Sequence, residues 1–182
     1  DRAFSNTDLA GTLMIPSTVT KIGNEAFANT KLGGLDLSTF ASTKLTYLDL
    51  SEATSLVEIG ERAFFGATNL AGTLMIPSTV TKIGPDAFYY TGLTGLDLSK
   101  ATSLVAIGPG AFSYTKLAGT LAVPNTVTTI GAWAFANTEL TCLDLSKATS
   151  LVEIGESAFY AATNLAGTLA VPNTVTKIGN EA

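Results

Sequence analysis

Four aspartates recur in the same local sequence, Leu-Asp-Leu-Ser, and they are the residues whose type and spacing best suit chemistry. They are Asp36, Asp49, Asp97 and Asp144. If Asp36 and Asp49 lie on adjacent strands of a parallel sheet, they are about 5 Å apart. Retaining glycosidases use a similar separation between two carboxyl groups. Carboxylate oxygens at that distance could also share a Ca²⁺ ion.

Their local sequence favours solvated carboxylates instead. Alternation along Leu-Asp-Leu places each aspartate on the open face of a sheet, where nothing apparent buries one carboxyl group and raises its pKa. The chain has no His and one cysteine, Cys142, which removes the commonest general base and an internal disulfide. Phosphate-binding, dinucleotide-binding and Ca²⁺-loop motifs are also missing. We therefore expect a non-enzyme with no catalytic, cofactor-binding or metal site.

The aspartates belong to repeated sequence units, and these units must position them. An Ala-Phe pair returns at an interval of about 23 or 24 residues, with one longer gap between Phe27 and Phe64, and such a period indicates a solenoid. Two kinds of unit alternate. The first, here called the proline unit, reads Gly-Thr-Leu-x-(Ile/Val)-Pro and begins at Gly11, Gly72, Gly119 and Gly167. The second, the aspartate unit, reads Leu-Asp-Leu-Ser-x-Ala-Thr-Ser-Leu and begins at Leu48, Leu96 and Leu143.

One rung is predicted to be short. The Leu-Asp-Leu-Ser segments that start at Leu35 and Leu48 lie much closer together in the chain than successive units do elsewhere. Residues 35–47 therefore lack their Ile-Gly and Ala-Phe segments. We expect Leu35–Leu37 to join the sheet, Phe40 to plug the core, and a notch to form beside Asp36, Lys44, Tyr47 and Asp49.

The pattern within each unit predicts two strands per rung. Leu48-Asp49-Leu50 alternates with period two. Val57-Glu58-Ile59 suggests a second, shorter strand, because its counterparts all begin with a β-branched residue. Lys21, Glu58 and Lys82 then alternate in charge on neighbouring rungs, and Glu153 faces Lys177. Pro85 and Pro109 favour short helical turns before the phenylalanines, which should stack as one buried column.

The leucine framework Leu45-x-x-Leu48-x-Leu50, with the Ile-Pro, Ile-Gly and Ala-Phe segments, resembles the BspA-like class of leucine-rich repeats. The resemblance covers essentially all 182 residues. It implies a mainly β, curved solenoid with a parallel sheet, irregular or short helical structure opposite, and a role in binding or adhesion at cell surfaces. Where the family often carries Cys beyond the phenylalanine, this chain has Thr. We expect threonine hydroxyls to replace that polar ladder.

Composition narrows the class of partner. The net charge of −5 disfavours nucleic acid and anionic membranes, which attract basic surfaces. No apolar run reaches the length of a membrane-spanning helix, so we expect no direct membrane insertion. The chain starts and stops within a unit, which predicts one array, 1–182, excerpted from a longer one.

Large aromatic side chains flank the core phenylalanine at positions that are polar or small in other rungs. They are Phe65, Tyr89, Tyr90, Tyr114, Trp133 and Tyr160. Trp133 should be exposed, because its counterparts are mostly polar. Tyr and Trp are favoured at interaction hot spots, although such rings can also fold over neighbouring rungs as peripheral core. A ladder of Thr-Val-Thr segments could in principle bind ice, but the aspartate units interrupt it.

The sequence thus predicts a non-catalytic scaffold for protein binding or cell-surface adhesion, and only the family resemblance favours a location at the cell surface or outside the cell. The alternative is an assembly component that packs through its ends or flank, against copies of itself or other chains, into a filament or an extracellular layer.

Overall fold

A computed structural model of the chain describes residues 1–7, 9–28 and 44–182. The described residues form a stack of short strands and turns in which most rungs supply a longer and a shorter strand. The strands are β1 (Ala10–Met14), β2 (Lys21–Ile22), β3 (Lys44–Asp49), β4 (Glu58–Ile59), β5 (Ala71–Met75), β6 (Lys82–Ile83), β7 (Gly92–Asp97), β8 (Ala106–Ile107), β9 (Ala118–Ala122), β10 (Thr129–Ile130), β11 (Glu139–Asp144), β12 (Glu153–Ile154) and β13 (Lys177–Ile178).

The short strands form one continuous parallel sheet of seven strands, in the order β13-β12-β10-β8-β6-β4-β2. The predicted charge alternation is confirmed in this sheet. Lys21 Nζ lies 2.7 Å from a carboxylate oxygen of Glu58, and Lys82 Nζ lies 3.8 Å from the other. Lys177 Nζ lies 2.6 Å from Glu153 Oε1. These pairs are exposed, so each contributes little to the stability of the fold.

The longer strands do not form the single sheet that the sequence suggested. They pair only in twos, β1 with β3, β5 with β7 and β9 with β11. In each pair a five-residue strand of a proline unit faces a six-residue strand, and the register shifts at the proline unit's glycine, as at Gly72. The extra residue lies on the six-residue strand, where Thr94 falls between the partners of Gly72 and Thr73. No ladder joins β3 to β5 or β7 to β9, so the long strands form three two-stranded ribbons.

The helical turns expected before the phenylalanines are replaced by consecutive β-turns, and no helix occurs within the described ranges. In one rung the N–H of Ala63 bonds to the C=O of Gly60, and that of Phe65 to the C=O of Arg62. Arg62 has φ 53°, and a left-handed residue stops a helix from continuing. The freed N–H groups of Arg62, Phe64 and Gly66 bond to carbonyls of the next rung, so these turns join neighbouring rungs.

The phenylalanine column is confirmed. Rings of Phe4, Phe27, Phe64, Phe88, Phe112, Phe135 and Phe159 stack with centroids 5.1–5.5 Å apart and planes within 11° of parallel. The four central rings are fully buried, Phe159 is partly buried, and Phe4 is exposed at the first rung. Small alanines before each phenylalanine, such as Ala63 and Ala87, are fully buried beside the column.

The glycine of each Ile-Gly pair marks the closest approach between rungs. A Cβ atom on Gly84 would lie 2.6 Å from backbone atoms of Gly60 and Glu61, and one on Gly108 would lie 2.6 Å from the carbonyl carbon of Gly84. Such distances are too short for any side chain. The recurring glycine is therefore a packing requirement of the stack.

Threonine hydroxyls do replace the polar ladder, but in two different ways. Thr91, Thr115 and Thr138 are buried, and each donates to the carbonyl of the phenylalanine three residues earlier in its own rung. Thr79, in a proline unit, instead donates to the carbonyl of Leu56 in the preceding rung at 2.7 Å. Thr46 and Ser113 also donate between rungs, to the carbonyls of Gly11 and Ala136.

The predicted short rung, 35–47, falls largely outside the described residues, which resume at Lys44. The rungs on either side contact each other directly. Phe27 stacks on Phe64 at 5.3 Å, Lys21 pairs with Glu58, and β1 pairs with β3. A search of the described part found no helix that could cross a membrane.

Candidate interaction surface

The aspartates of the aspartate units are committed to turns. The carboxylate of Asp49 accepts a hydrogen bond from the backbone N–H of Ser51 at 2.8 Å, and Asp97 and Asp144 do the same with Ser99 and Ser146. Such bonds stabilise the charged carboxylate. The backbone N–H of Ser51 lowers the pKa of Asp49, and hydrogen bonds from Ser99 and Ser146 lower the pKa of Asp97 and Asp144.

The described aspartates also stand apart from one another. β1 places Met14 beside Asp49, and β5 places Met75 beside Asp97, so a proline unit separates successive aspartates. Asp36, the other half of the proposed carboxylate pair, lies outside the described residues. Within the described ranges, no group of three or more Asp, Glu, Cys or His residues is arranged to hold a metal ion. The arrangement suits a turn that begins after each long strand.

Four of the six predicted aromatic residues come together as one cluster, here called the aromatic cluster: Phe65, Tyr89, Tyr90 and Tyr114. Phe65 stacks on Tyr89 with centroids 5.0 Å apart. Tyr114 lies 5.4 Å from Tyr89 and 6.2 Å from Tyr90, with both ring pairs tilted. Tyr114 is 47% exposed and Tyr90 37%. The cluster therefore has a half-buried base of two rings and an exposed upper layer.

Charged groups fix one end of the aromatic cluster. The guanidinium carbon of Arg62 lies 4.8 Å from the centre of the Phe65 ring, and Arg62 Nε lies 3.5 Å from Asp86 Oδ2. Burial raises the pKa of the Tyr89 hydroxyl. A cation on one ring face and a carboxylate beside it hold this end of the cluster in a defined geometry.

Trp133 and Tyr160 form a second, separate aromatic pair, with centroids 5.3 Å apart and planes tilted by 57°. Trp133 is 41% exposed, which confirms the predicted exposure. Its backbone is left-handed, with φ 59°, as it is at the equivalent Arg62 and Asp86. The six predicted aromatic side chains thus form two separate groups.

Of the remaining predicted residues, Lys44, Tyr47 and Asp49 belong to β3. Tyr47 is 42% exposed and Asp49 half-buried, and both line a surface groove of about 510 Å³. Lys44 is the first residue of β3. Asp36 and Phe40 lie outside the described residues. The notch therefore stays a prediction.

A family model described as "BspA type Leucine rich repeat region (6 copies)" matches residues 1–101 and 33–165. The chain belongs to the BspA-type leucine-rich repeat family. A search of curated proteins finds no match.

Solved structures of other proteins share this fold. A leucine rich cell surface protein from Faecalibacterium prausnitzii matches with a TM-score of 0.52 and 24% identity, over 91% of this chain and 47% of its own. The pneumococcal vaccine antigen PcpA matches with a TM-score of 0.55 and 20% identity, over 96% of this chain and 42% of its own. This chain thus spans less than half of each.

The structure also contains a feature that the sequence analysis missed. Two proline units of this BspA-type array each lie in a groove between neighbouring aspartate units. One groove centres on Pro77 and the next, of about 690 Å³, on Pro124. The regular alternation of two unit types along the chain was the signal that could have revealed them.

Proposed function

We propose that this chain is a non-catalytic scaffold that binds another protein, and that the aromatic cluster is its contact surface. The observation that carries the proposal is the packing of four aromatic rings from neighbouring rungs, with Tyr90 and Tyr114 exposed on top. Tyrosine supplies a large, amphipathic contact area and is enriched at binding hot spots.

The solenoid supports this role because it holds the rings in place before any partner arrives. The N–H of Tyr90 bonds to the C=O of Ser113, and that of Tyr114 to the C=O of Ala136. Each exposed tyrosine is therefore anchored to the following rung by its backbone. A surface that is ordered in advance loses less conformational entropy on binding.

The proposed location is the cell surface or the extracellular space. It is supported by family membership and by the description of the F. prausnitzii protein as a cell surface protein. The net charge of −5 argues against nucleic acid and anionic membrane surfaces as partners. The proposed partner is a protein, and the proposed contact needs no cofactor.

A selection from a random peptide library displayed on phage tests the proposal. We expect the wild-type chain to enrich peptides that the double variant Tyr90→Ser, Tyr114→Ser no longer binds. Tyr160→Ser is the matched control, because it removes a similarly exposed ring from the separate aromatic pair. Unfolding midpoints in urea verify that all three proteins are folded.

Two outcomes contradict the proposal. If the selected peptides bind the double variant as tightly as they bind the wild type, their binding site lies outside the aromatic cluster. Sedimentation velocity addresses the assembly alternative. If the wild type self-associates and the double variant is a monomer, the cluster joins copies of this chain, and the proposal of a separate partner is wrong.

A further inference from the structure

Two grooves on the solenoid are built from equivalent residues. Each is open to solvent and is bounded by two successive aspartate units with a proline unit between them. Thr54 and Ser78 in the first groove correspond to Thr102 and Asn125 in the second. Ser99 and Thr102 belong to both, because their aspartate unit is the far wall of one groove and the near wall of the next.

The spacing of the grooves follows from the stacking of the rungs. Adjacent rings in the phenylalanine column are 5.1 and 5.2 Å apart. Two rungs of a parallel stack therefore advance about 10 Å. A partner that occupies both grooves in the same way must present the same group about every 10 Å.

Among polypeptide conformations, a polyproline II helix has this repeat and free backbone carbonyls. It has three residues per turn and rises about 3.1 Å per residue, so one face recurs every ~9.3 Å. An extended strand presents the same face every ~6.6 Å, which does not match. An α-helix uses its backbone carbonyls in its own hydrogen bonds, so it offers few main-chain acceptors to donors in the grooves.

The chemistry of the grooves also fits this conformation. Hydroxyl, amide and ammonium donors line the second groove at Thr102, Asn125, Lys147 and Thr149. Lys100 lies near Asp97 and Lys147 near Asp144, and each lysine helps to lower the pKa of that carboxyl group. A polyproline II backbone has no internal hydrogen bonds, and proline has no N–H, so such a segment offers only carbonyl acceptors.

The groove floors are largely apolar, as proline rings require. Leu48, Met75 and Pro77 line the first groove, and Leu96, Ala122 and Pro124 the second. Asp49 and Asp97 reach these grooves too, but both already accept a hydrogen bond from a serine N–H in their turns. The walls thus offer mainly donors above an apolar floor.

We propose that the row of grooves over Pro77 and Pro124 binds a proline-rich protein segment in the polyproline II conformation, one turn per groove. The inference rests on the proposed function as a protein-binding scaffold. It assigns a second surface and a class of partner sequence to that function. The aromatic cluster takes no part in this site.

The experiment uses a fluorescently labelled all-proline peptide of about ten residues, which spans both grooves at ~3.1 Å per residue. Binding is measured by anisotropy with the wild-type chain, Thr102→Trp and Ser150→Trp. Thr102 is exposed and lines both grooves, so Trp there obstructs the whole row. Ser150 is exposed nearby but lines neither groove, and it serves as the control.

We expect the wild type and Ser150→Trp to bind equally, and Thr102→Trp to lose about tenfold or more in affinity. Amide resonances of Thr102, Thr120 and Ser146 should shift when the peptide is added to the wild type. A flexible Gly-Ser peptide of equal length should not bind, because it lacks the preformed repeat.

Other outcomes overturn the proposal. If the peptide does not bind the wild type, the proposal is wrong. Binding that survives in Thr102→Trp but is lost in the double variant Tyr90→Ser, Tyr114→Ser places the peptide on the aromatic cluster, which leaves the proposed function intact. If a neutral oligosaccharide shifts the groove resonances and the peptide does not, the groove ligand is a glycan.

Discussion

At the scale of single residues, the stack depends on backbone positions that tolerate few side chains. Ile-Gly glycines lie where successive rungs touch, and left-handed residues such as Arg62 and Ala161 lie where the chain turns. Glycine is required at the first kind of position by sterics. At the second kind it is merely preferred, because other residues adopt a positive φ at a cost.

Gly108→Ala should strongly destabilise the array. The new Cβ would lie 2.6 Å from the carbonyl carbon of Gly84, and backbone atoms cannot move aside as a flexible side chain can. We expect a loss of about 2 kcal/mol or more in the free energy of unfolding, as for overpacking in a core. Urea denaturation followed by circular dichroism measures it. Gly119→Ala has nothing within 4 Å and reports the cost of positive φ alone.

Ala161→Gly should stabilise the chain. Ala161 is exposed with φ 55°, so the substitution relieves a left-handed alanine without removing a buried group. The expected gain is up to about 1 kcal/mol in the free energy of unfolding. Ala132→Gly is the control, because Ala132 has no positive φ and should lose about 0.5–1 kcal/mol. Equal effects of the two substitutions in thermal or urea unfolding would contradict this account.

At the scale of the rung, a buried ring and a carboxylate-capped turn give each unit its shape. Phe112 is fully buried between Phe88 and Phe135, and Asp97 holds the turn that leaves β7. The ring packs neighbouring rungs together, and the carboxylate orders its own rung. Truncation of the ring tests the first contribution to stability, and a change of pH tests the second.

Phe112→Ala should cost roughly 3–5 kcal/mol in the free energy of unfolding, because it leaves a cavity in the middle of the column. Phe4→Ala is the matched control, since Phe4 stacks at the first rung but is 47% exposed. Phe4→Ala should lower the free energy of unfolding by much less. A loss under about 1 kcal/mol for Phe112→Ala in chemical unfolding would show that the column is not a stabilising core.

The aspartate turns should make stability fall in acid. Hydrogen bonds from serine lower the folded-state pKa of Asp49, Asp97 and Asp144. Their contribution is therefore present above the unfolded pKa and is lost as the pH falls through the lower folded values. Replacing all three by Asn should flatten the dependence of the urea midpoint on pH below about pH 4.

Part of the dependence of the urea midpoint on pH should remain in the triple Asn variant. Glu58 has a lowered pKa too, mainly because Lys21 donates a hydrogen bond to it. Adding Glu58→Gln should remove part of the remainder. An unchanged slope in the triple variant would mean that the turns do not contribute to acid sensitivity.

At the scale of the whole molecule, the array combines a continuous sheet with an interrupted one. The seven short strands run without a break, while the long strands form three ribbons. Phe27 stacks directly on Phe64 and β2 pairs with β4, although the chain between them is longer than between any other two neighbouring phenylalanines of the column. The rungs that contain Phe27 and Phe64 are therefore direct neighbours in the stack.

Deleting residues 35–47 should leave a folded and more regular array. The deletion joins Lys31-Leu-Gly-Gly34 to Leu48-Asp-Leu50, which reproduces the spacing of Gly92–Leu98. The interval from Phe27 to Phe64 then equals the interval from Phe64 to Phe88. Circular dichroism and the urea midpoint should stay close to those of the wild type. Because Tyr47 is lost, the first groove should change, whereas peptides selected on the aromatic cluster should still bind.

A deletion variant that fails to fold would show that these residues are needed for the stack. Deletion of residues 73–85 provides the comparison. It removes a segment of equal length from a regular rung, including Ile76, Val80 and Ile83, all fully buried, and should unfold the array.

The sequence by itself determined the register of the solenoid. The interval between Ala-Phe pairs places each phenylalanine above the last, and the alternation of Lys21, Glu58 and Lys82 aligns their strands, because each rung repeats the same circuit. Exposure of Trp133 followed from its polar counterparts, and the family followed from the leucine framework. These features depend on local periodicity, which is visible in one dimension.

Only the tertiary structure decided how the surface is divided. Phe65, Tyr89, Tyr90 and Tyr114 are one cluster and Trp133 with Tyr160 another, because contacts between rungs depend on side-chain direction as well as spacing. Left-handed residues turned the expected helical segments into β-turns, and the long strands pair only in twos. The grooves follow from two different unit types packed at one spacing, and neither unit contains a groove on its own.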